Sequence, residues 1–246
     1  MRLNHSTVQL MEQLNLSGMA SAYEQQLNNP DLQNQSFEVR IGLLMEAEIC
    51  SRNHRKIERL LKNARLRESQ ASLEDIEYIS GRGLDRSVIM GLADCDWLRR
   101  RQNLIITGAT GTGKTWLACA FGNQACRLGM VTSYWTATDL FSNIILSHAD
   151  GTLQKLRNQL IKTQLLIVDD LGIGGISSEV GPTLLEVVDR HSRNGSLVIT
   201  SQYPKEKWHD LFSDPTIADA ILDRIIHKSH VIKLGGESMR KIKARK

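Results

Sequence analysis

The sequence predicts an α/β fold in which a parallel sheet is flanked by helices and preceded by a small all-α domain. Short apolar, β-rich runs alternate with helical segments in the second part of the chain, a pattern typical of parallel sheets covered on both faces. The first part shows only helical periodicity. The boundaries that we infer are residues 1–68 for the helical domain, 69–100 for a connector, and 101–246 for the α/β domain with a basic C-terminal tail.

The composition excludes several classes of protein. Of 246 residues, 41% are hydrophobic and 24% are charged, which is typical of a globular chain and not of a disordered or fibrous one. No apolar stretch approaches the ~20 residues that cross a bilayer, and the first residues are too polar for a signal peptide. The four cysteines form no CxxC pair, so neither a zinc ribbon nor a disulfide framework is supported. We therefore expect a cytoplasmic protein without a membrane partner.

The helical domain begins with two short helices, interrupted near Gly18, and continues with a longer helix. Ser36 is the expected N-cap of that helix, which runs from Phe37 to about Leu66. Four cationic side chains fall within about 80° of one another on its helical wheel, separate from the apolar arc. They are Arg52, Arg55, Arg59 and Lys62. A solvated surface is one interpretation, but few acidic partners at helical spacing favour a surface that contacts a polyanion.

Five runs predict the strands of the sheet. They are QNLIITG, VTSYW, LLIVDD, SLVIT and SHVIKL. An extra pair of helices is predicted between the second and third strands, and a helix over residues 215–228 precedes the fifth.

The first strand leads directly into a complete GxxxxGK[ST] motif, which a helical run follows. Glycines let the backbone turn tightly, so that consecutive N–H groups and the helix N-terminus bind phosphate oxygens. Lys114 supplies a full charge to the β and γ phosphates, and the Thr115 hydroxyl is placed to ligate Mg²⁺. The motif predicts a nucleoside triphosphate site formed by Gly108, Ala109, Thr110, Gly111, Thr112, Gly113, Lys114 and Thr115.

A buried strand that ends in two acidic residues supplies the second half of the predicted site. The apolar run over residues 165–168 indicates a central strand, and ligands gather at the carboxyl ends of such strands. We expect Asp169 to hold Mg²⁺ through water and Asp170 to orient or deprotonate the attacking water. Because Asp is one methylene shorter than the commoner Glu, slow hydrolysis is expected.

Two further residues have open interpretations. Gln202 is the last residue of a run that becomes polar at the end of a predicted strand. Either this strand end contacts the γ phosphate or the attacking water, or the strand simply continues into a polar turn. Arg224 lies on the predicted helix over residues 215–228. It is either an ordinary surface arginine or one that acts on the phosphates of a neighbouring subunit, a role worth ~10³ to 10⁵ in rate.

Taken together, these motifs resemble the IstB-like ATP-binding proteins encoded by insertion sequences. The similarity covers nearly the whole chain through the segments NLSGMASAYEQQ, SFEVRIGLLMEAEICSRNHRKIERLLKNARLR, RGLDR, QNLIITGATGTGKTWLACA, LLIVDDLG, VITSQYPKEKWHD, DPTIADAILDRIIHKSHVIKL and GGESMR. That family consists of AAA+ ATPases related to the DnaC helicase loader and the DnaA initiator. The resemblance therefore implies a P-loop AAA+ (ASCE) core without the full helical lid.

The resemblance also implies a function. Such proteins bind ATP, assemble as oligomers with shared ATP sites on double-stranded target DNA with little sequence preference, and recruit and stimulate the partner transposase. By this resemblance Arg224 is the arginine finger, and Arg240 matches the sensor-2 arginine that contacts its own nucleotide. Gln202 stands at the sensor-1 position, where the wider class often has Asn, and this departure leaves its role open.

Three basic regions are candidates for contacts with DNA phosphates, which need no particular base sequence. The first is the cationic side chains of the long helix. The second is Lys155 with Arg157, on the inserted helical pair where initiator-type relatives approach nucleic acid. The third is the C-terminal tail over residues 240–246, for which a solubilising end is an equally good interpretation.

Two other classes of protein use the same phosphate-binding loop. A replicative helicase loader would bind a hexameric helicase through the N-terminal domain and prefer single-stranded DNA. A small-molecule kinase would need an acceptor pocket and usually an arginine-rich lid, and we find no such segment in the sequence.

Overall fold

A computed structural model describes residues 2–79, 81–239 and 241. They form two compact units, residues 1–59 and 60–246, and the division falls within the helix Phe37–Ala64. Strands β1 to β5 cover Asn103–Gly108, Thr132–Thr136, Leu165–Leu171, Ser196–Ser201 and Ser229–Leu234. Helices α1 to α11 cover Arg2–Gln13, Ser17–Asn28, Pro30–Gln33, Phe37–Ala64, Arg86–Ala93, Asp96–Arg99, Lys114–Arg127, Ala137–Ala149, Leu153–Ile161, Gly181–His191 and Pro215–Ile226. Short 3₁₀ turns cover Leu73–Asp75, Lys205–Lys207 and His209–Leu211.

The carboxylate of Glu48 organises the first unit. Helix α2 begins without a side-chain cap of its own, so its first backbone N–H groups need another acceptor. Glu48, which is 6% exposed, accepts hydrogen bonds from the backbone N–H groups of Gly18 at 2.8 Å and Met19 at 3.2 Å. Negative charge is favourable at a helix N-terminus. Glu48 therefore fixes the start of α2 against α4.

Close packing around Gly18 gives a first prediction. A methyl group added at Gly18 would lie 2.6 Å from the carbonyl oxygen of Ala47 and 2.7 Å from the Cβ of Ser51. We expect Gly18→Ala to destabilise the first unit by about 1–3 kcal/mol, the usual cost of overpacking. Hydrogen exchange of the α2 amides measures the change.

Gly42 on α4 provides the matched control, because an added methyl group there meets nothing within 4 Å. Gly42→Ala should stabilise the unit by about 0.5–1 kcal/mol through its higher helix propensity. Equal loss of protection in both variants would contradict the steric explanation.

The five strands of the second unit form one parallel sheet in the order β2-β3-β4-β1-β5. The predicted α/β fold is confirmed, including the helical pair α8 and α9 between β2 and β3. Strand β1 lies beside β4, and β3 lies on the other side of β4. The carboxyl ends of these three strands therefore meet at one edge of the sheet, where parallel sheets bind ligands.

Alternate strand residues face two separate apolar cores. Ile106 and Ile167 contribute to the core formed with α7 and residues 60–100, whereas Ile105 and Leu166 contribute to the core formed with α8 to α11.

The observed division at residue 59 differs from the predicted boundary at 68. In addition, the predicted connector over residues 69–100 contributes to the core that contains α7. The reason is burial of apolar side chains before and within that segment, namely Leu60, Ala64, Leu66, Ala71, Ile76, Ile89 and Trp97. Among the described helices, none is both long and apolar enough to cross a membrane.

A buried histidine in the second unit predicts a pH dependence of stability. His191 is 0% exposed, its Nε2 lies 3.2 Å from the Thr163 hydroxyl, and its Nδ1 has no hydrogen-bond partner among the described residues. Burial lowers the pKa of His191 to about 4 from 6.5. As pH falls below about 6.5, the unfolded chain takes up a proton that the folded chain does not. Stability is therefore lost progressively down to about pH 4, by on the order of 3 kcal/mol in total.

Urea denaturation between about pH 7 and pH 5 tests this dependence, above the range in which most carboxylates titrate. His191→Leu should flatten the pH dependence of the unfolding free energy, whatever its effect on absolute stability. His227→Gln is the control, because His227 is exposed and its pairing with Asp223 is at the surface. An unchanged slope in His191→Leu would exclude His191 as the titrating group.

Candidate functional site

The phosphate-binding loop connects β1 to α7, as predicted. Gly111 and Gly113 have positive φ values of 83° and 93°, a conformation that glycine adopts without strain. The Thr112 side chain is 1% exposed and donates a hydrogen bond to the carbonyl oxygen of Ala109 at 2.8 Å. No acidic residue lies in the first turn of α7, so its N-terminal N–H groups remain suited to an anion.

Lys114 is the first residue of α7 and is 5% exposed. Its Nζ donates a hydrogen bond to the Ala109 carbonyl oxygen at 3.1 Å. Burial lowers the pKa of Lys114, and the negative charges of Asp170 and Asp169 oppose that effect. The ammonium group is thus held among main-chain carbonyl and carboxylate groups, where phosphate oxygens would strengthen its charged form.

Asp169 is 0% exposed and joins three elements of the fold. Its carboxylate accepts hydrogen bonds from Thr115 on α7 at 2.9 Å, Tyr134 on β2 at 2.7 Å and Thr200 on β4 at 2.5 Å. Burial raises the pKa of Tyr134, and the hydrogen bond to Asp169 raises it further, so the phenol stays a neutral donor. Sequence analysis did not identify Tyr134 or Thr200 as members of this network.

Asp170 lies in a different environment from Asp169 because the strand is irregular at this point. A register shift separates Val168 from Leu171 in the pairing with β4, and Asp170 has a φ of +58°. Left-handed backbone at a non-glycine residue is uncommon and often marks functional sites. The backbone N–H of Asp170 donates to the Thr200 hydroxyl at 2.8 Å, and its side chain lines a cavity with Gln202.

This cavity has a volume of about 310 Å³, at the lower end of the range typical of ligand sites. Loop residues Thr110, Gly111, Gly113, Lys114 and Thr115 line it, together with Asp170 and Gln202. Further lining residues that sequence analysis missed are Arg67, Glu68, Asp75, Glu77, Arg82, Trp116 and Met239.

Arg67, from the end of the predicted helical domain, and Arg82, from the predicted connector, bring positive charge to the cavity. Arg82 is 7% exposed and donates hydrogen bonds to the carbonyl oxygens of Glu77 at 2.9 Å and Thr112 at 3.3 Å, while its Nε has no partner among the described residues. Burial lowers the pKa of Arg82. A hydrogen bond with Tyr134 raises the pKa of Arg67, and the charges of Asp169 and Asp170 add to the effect. Two glycines that flank Arg82 were the available sequence signal.

The oxygen ligands that Mg²⁺ prefers are present where the motif predicts them. Thr115 lines the cavity and its hydroxyl contacts Asp169, whereas Asp169 is not among the lining residues. Hydroxyl and carboxylate oxygens fit this ion. The arrangement favours Thr115 as the direct ligand, with Asp169 acting behind it.

Arg224 does not line the cavity of its own chain. On α11, its Nε donates to the Asp189 carboxylate at 2.8 Å and its Nη1 donates to the Ala220 carbonyl oxygen at 2.7 Å. Arg240, the predicted sensor-2 residue, lies outside the described residues. The preceding residue, Met239, lines the cavity and donates its backbone N–H to the Gly111 carbonyl oxygen at 2.8 Å.

The cationic side chains of α4 are partly neutralised, so the expectation of few acidic partners is wrong for two of them. Glu48 accepts a hydrogen bond from Arg52 at 2.7 Å and lies 3.5 Å from Arg55. Hydrogen bonding from Arg52 is the main cause that lowers the pKa of Glu48. Arg59 in the first unit and Lys62 in the second are exposed, and neither makes an ion pair with another described residue.

The second predicted DNA-contact region also contains one paired residue. Arg157 on α9 lies 2.6 Å from the carboxylate of Glu186 on α10, and its side chain is only 22% exposed. The expectation that Arg157 is available to DNA therefore conflicts with the structure. Lys155 is exposed on the same helix. The remaining residues of the predicted C-terminal region, 242–246, lie outside the described residues.

Strand order, loop and acidic strand end together define a nucleotide-binding protein with the AAA+ P-loop fold. The crystal structure of DnaI matches with a TM-score of 0.58 and 20% identity over 72% of this chain and 93% of that chain. A replication initiator, DnaA bound to AMPPCP and single-stranded DNA, matches with a TM-score of 0.56 and 21% identity. That match covers 72% of this chain and spans about half, 55%, of the DnaA chain.

Within that class, the chain belongs to the family of IstB-like ATP binding proteins, whose model matches residues 9–246. An insertion sequence ATP-binding protein of Sinorhizobium fredii is 42% identical over 245 residues, 99% of each chain. The IS1162 ATP-binding protein of Pseudomonas fluorescens is 41% identical over 82% of this chain and 87% of its own. The IS21 ATP-binding protein of Pseudomonas aeruginosa is 27% identical over 98% and 91%. The predicted family is thereby confirmed.

Proposed function

We propose that this protein hydrolyses ATP slowly and helps insertion-sequence transposition by assembling on double-stranded DNA and recruiting the partner transposase. The observation that carries the proposal is the cavity beside the phosphate-binding loop, which both Lys114 and Asp170 line and in which the charge of Asp170 acts on Lys114. Family membership supports ATP as the nucleotide and an insertion sequence as the genetic context. This context also favours the cytoplasm as the location.

Each residue of the cavity has a role that follows from its chemistry. Main-chain N–H groups and Lys114 hold the triphosphate. Mg²⁺, held by Thr115 with Asp169 behind it, would neutralise charge on the phosphate oxygens. Asp170 acts as the base that orients or deprotonates the attacking water, and Gln202 orients the same water or the γ phosphate. Arg240, which lies outside the described residues, is assigned by the family resemblance alone to the nucleotide of its own chain.

Self-association would complete the site. Arg224 does not line its own cavity but belongs to another surface, which is the placement required of an arginine that acts on the nucleotide of another copy. An arginine supplied in this way is worth about 10³ to 10⁵ in turnover. We therefore place Arg224 against the γ phosphate of the adjacent subunit, which makes hydrolysis depend on assembly.

Exposed cations of the first unit provide the DNA contact that we favour. Asn15, Arg52, Arg55, Lys56 and Arg59 line one shallow depression. Glu48 offsets part of the charge of Arg52 and Arg55, which leaves Lys56 and Arg59 as the strongest phosphate ligands there. Lys62 and Lys155, in the second unit, are additional candidates because both are exposed.

Binding of a labelled duplex, followed by fluorescence anisotropy with and without ATP, tests the proposal. We expect ATP-dependent assembly at low salt, and affinity that falls steeply as salt rises. Arg59→Ala should reduce the slope of log affinity against log salt by about 0.9, the value for one phosphate contact. Arg157→Ala should leave the slope unchanged, because Glu186 already neutralises Arg157. Absence of ATP-dependent assembly on duplex DNA would refute the proposal.

A replicative helicase loader remains the second candidate, because the fold is similar to the crystal structure of the DnaC helicase loader, with a TM-score of 0.54 over 67% of this chain and 96% of that chain. A loader would retain a hexameric helicase in a pull-down and bind single-stranded DNA more tightly than duplex. Retention of the transposase instead, with a preference for duplex, is the result expected from the proposed function.

A further inference from the structure

Arg224 is held by two hydrogen bonds that leave most of its donors available. The guanidinium has five N–H donors in a rigid planar group. One on Nε is used by Asp189 and one on Nη1 by the Ala220 carbonyl oxygen. The side chain is 35% exposed, and its other donors have no partner among the described residues. Planar guanidinium donors of this kind are suited to bind phosphate oxygens in pairs.

Asp189 is itself held between two arginines. One carboxylate oxygen of Asp189 accepts the hydrogen bond from Arg224. The other lies 2.9 Å from the Nη2 atom of Arg193, which follows one helical turn later. Hydrogen bonding from Arg224 is the main cause that lowers the pKa of Asp189, and the charge of Arg193 adds to it. The carboxylate therefore stays ionised at neutral pH and keeps its orientation on α10.

The backbone beneath Arg224 is fixed independently of Asp189. Asn103, 6% exposed at the start of β1, donates from its amide to the carbonyl oxygens of Ile225 at 3.0 Å and Arg224 at 3.3 Å. Its amide oxygen accepts from the backbone N–H of Leu197 at 2.9 Å. The end of α11 is thus attached to the sheet, and only the long side chain of Arg224 needs a further restraint.

We propose that Asp189 is a positioning residue for Arg224: it restrains the Nε side of the guanidinium, so that the remaining donors face the nucleotide of the adjacent subunit. This inference rests on the proposed action of Arg224 across the subunit interface. Without Asp189 the Arg224 side chain would sample other rotamers. Misplacement of a catalytic group by about 1 Å costs roughly 10- to 100-fold in turnover.

Mixed oligomers give a directional test of this role. Arg224→Ala subunits keep an intact cavity but lack Arg224, and Asp170→Asn subunits keep Arg224 but lack the base. Each variant alone should therefore be inactive. Mixing the two should restore ATP turnover at hybrid interfaces. If mixing restores nothing, Arg224 does not act across the interface, and both the proposed function of Arg224 and the inference about Asp189 fail.

If mixing restores turnover, Asp189→Ala is then combined with each of the two variants in turn. On the Asp170→Asn subunit, which donates Arg224, it should lower the rescued turnover roughly 10- to 100-fold. On the Arg224→Ala subunit, which has no Arg224 to position, it should change turnover less than about twofold. Asp189→Asn, whose amide oxygen still accepts one hydrogen bond, should recover part of the loss. Equal losses on both partners would indicate a role in folding or assembly, and no loss on either would exclude positioning; each result overturns the inference.

Discussion

Lys114→Ala should severely weaken nucleotide binding while leaving the fold intact. The substitution removes the only full positive charge that the phosphate-binding motif supplies, from a position that is 5% exposed. Loss of one partner of a buried charge pair costs about 2–5 kcal/mol, which corresponds to roughly 30- to 5,000-fold weaker affinity. Titration with a fluorescent ATP analogue in the presence of Mg²⁺ measures the effect directly.

Thermal unfolding separates this effect from misfolding. ATP at about 100 times its dissociation constant should stabilise the unmodified protein by about 2.7 kcal/mol, and at the same ATP concentration this stabilisation should fall below about 1 kcal/mol in Lys114→Ala. Lys162→Ala is the matched control, since Lys162 is exposed at the end of α9 and carries the same charge. An undiminished nucleotide-dependent stabilisation of Lys114→Ala would show that the triphosphate binds elsewhere.

The parts of the fold that the sequence predicted are those that local patterns specify. Each strand is a short apolar run, and the phosphate-binding loop is a contiguous motif whose glycines have a direct conformational reason. Helix α4 begins at Phe37 as expected, because the Ser36 hydroxyl lies 3.4 Å from the backbone N–H of Val39. These features depend on residues that are close in the chain.

What the sequence did not reveal depends on contacts between distant segments. Tyr134 reaches Asp169 from a neighbouring strand, and Arg82 contacts Thr112 across thirty residues of chain. Neither residue belongs to the loop motif. Strand order places Tyr134 on β2 beside Asp169 on β3, and Arg82 lies before α5 and reaches the loop through its side chain. The observed division precedes the predicted boundary for the same reason, because Leu60, Ala64 and Leu66 at the end of the predicted helical domain pack in one core with residues of α7 and the sheet.

Some ion pairs were not predicted because the acidic partner lies outside the basic segment or on another helix. Glu48 precedes the basic stretch of α4 by one turn, so a count of acidic residues within the stretch missed it. Glu186 and Asp189 come from α10 and pair with arginines on α9 and α11 respectively. Charge counts along a sequence therefore overestimated the free positive surface, at Arg157 most clearly.

Asp170→Asn should retain ATP and lose its hydrolysis. Removal of a general base typically costs 10²–10⁴-fold in rate, and we expect a loss on that order in turnover. Asp170 has a φ of +58°, and Asn tolerates this left-handed conformation as well as Asp does. Its backbone N–H can keep the hydrogen bond to Thr200, so the variant changes charge without changing the strand end.

Steady-state phosphate release and nucleotide titration together distinguish this role from a binding role. ATP affinity should change by only a few fold, because removing a general base lowers kcat without removing the loop contacts to phosphate. Since hydrolysis would no longer end the ATP-bound state, assembled protein on duplex DNA should persist longer than in the unmodified protein. Asp219→Asn is the control, because Asp219 is 80% exposed on α11 and its partner is His209. Undiminished phosphate release by Asp170→Asn would assign the base to another group, and the orientation of Asp170 into the cavity would then need a different explanation.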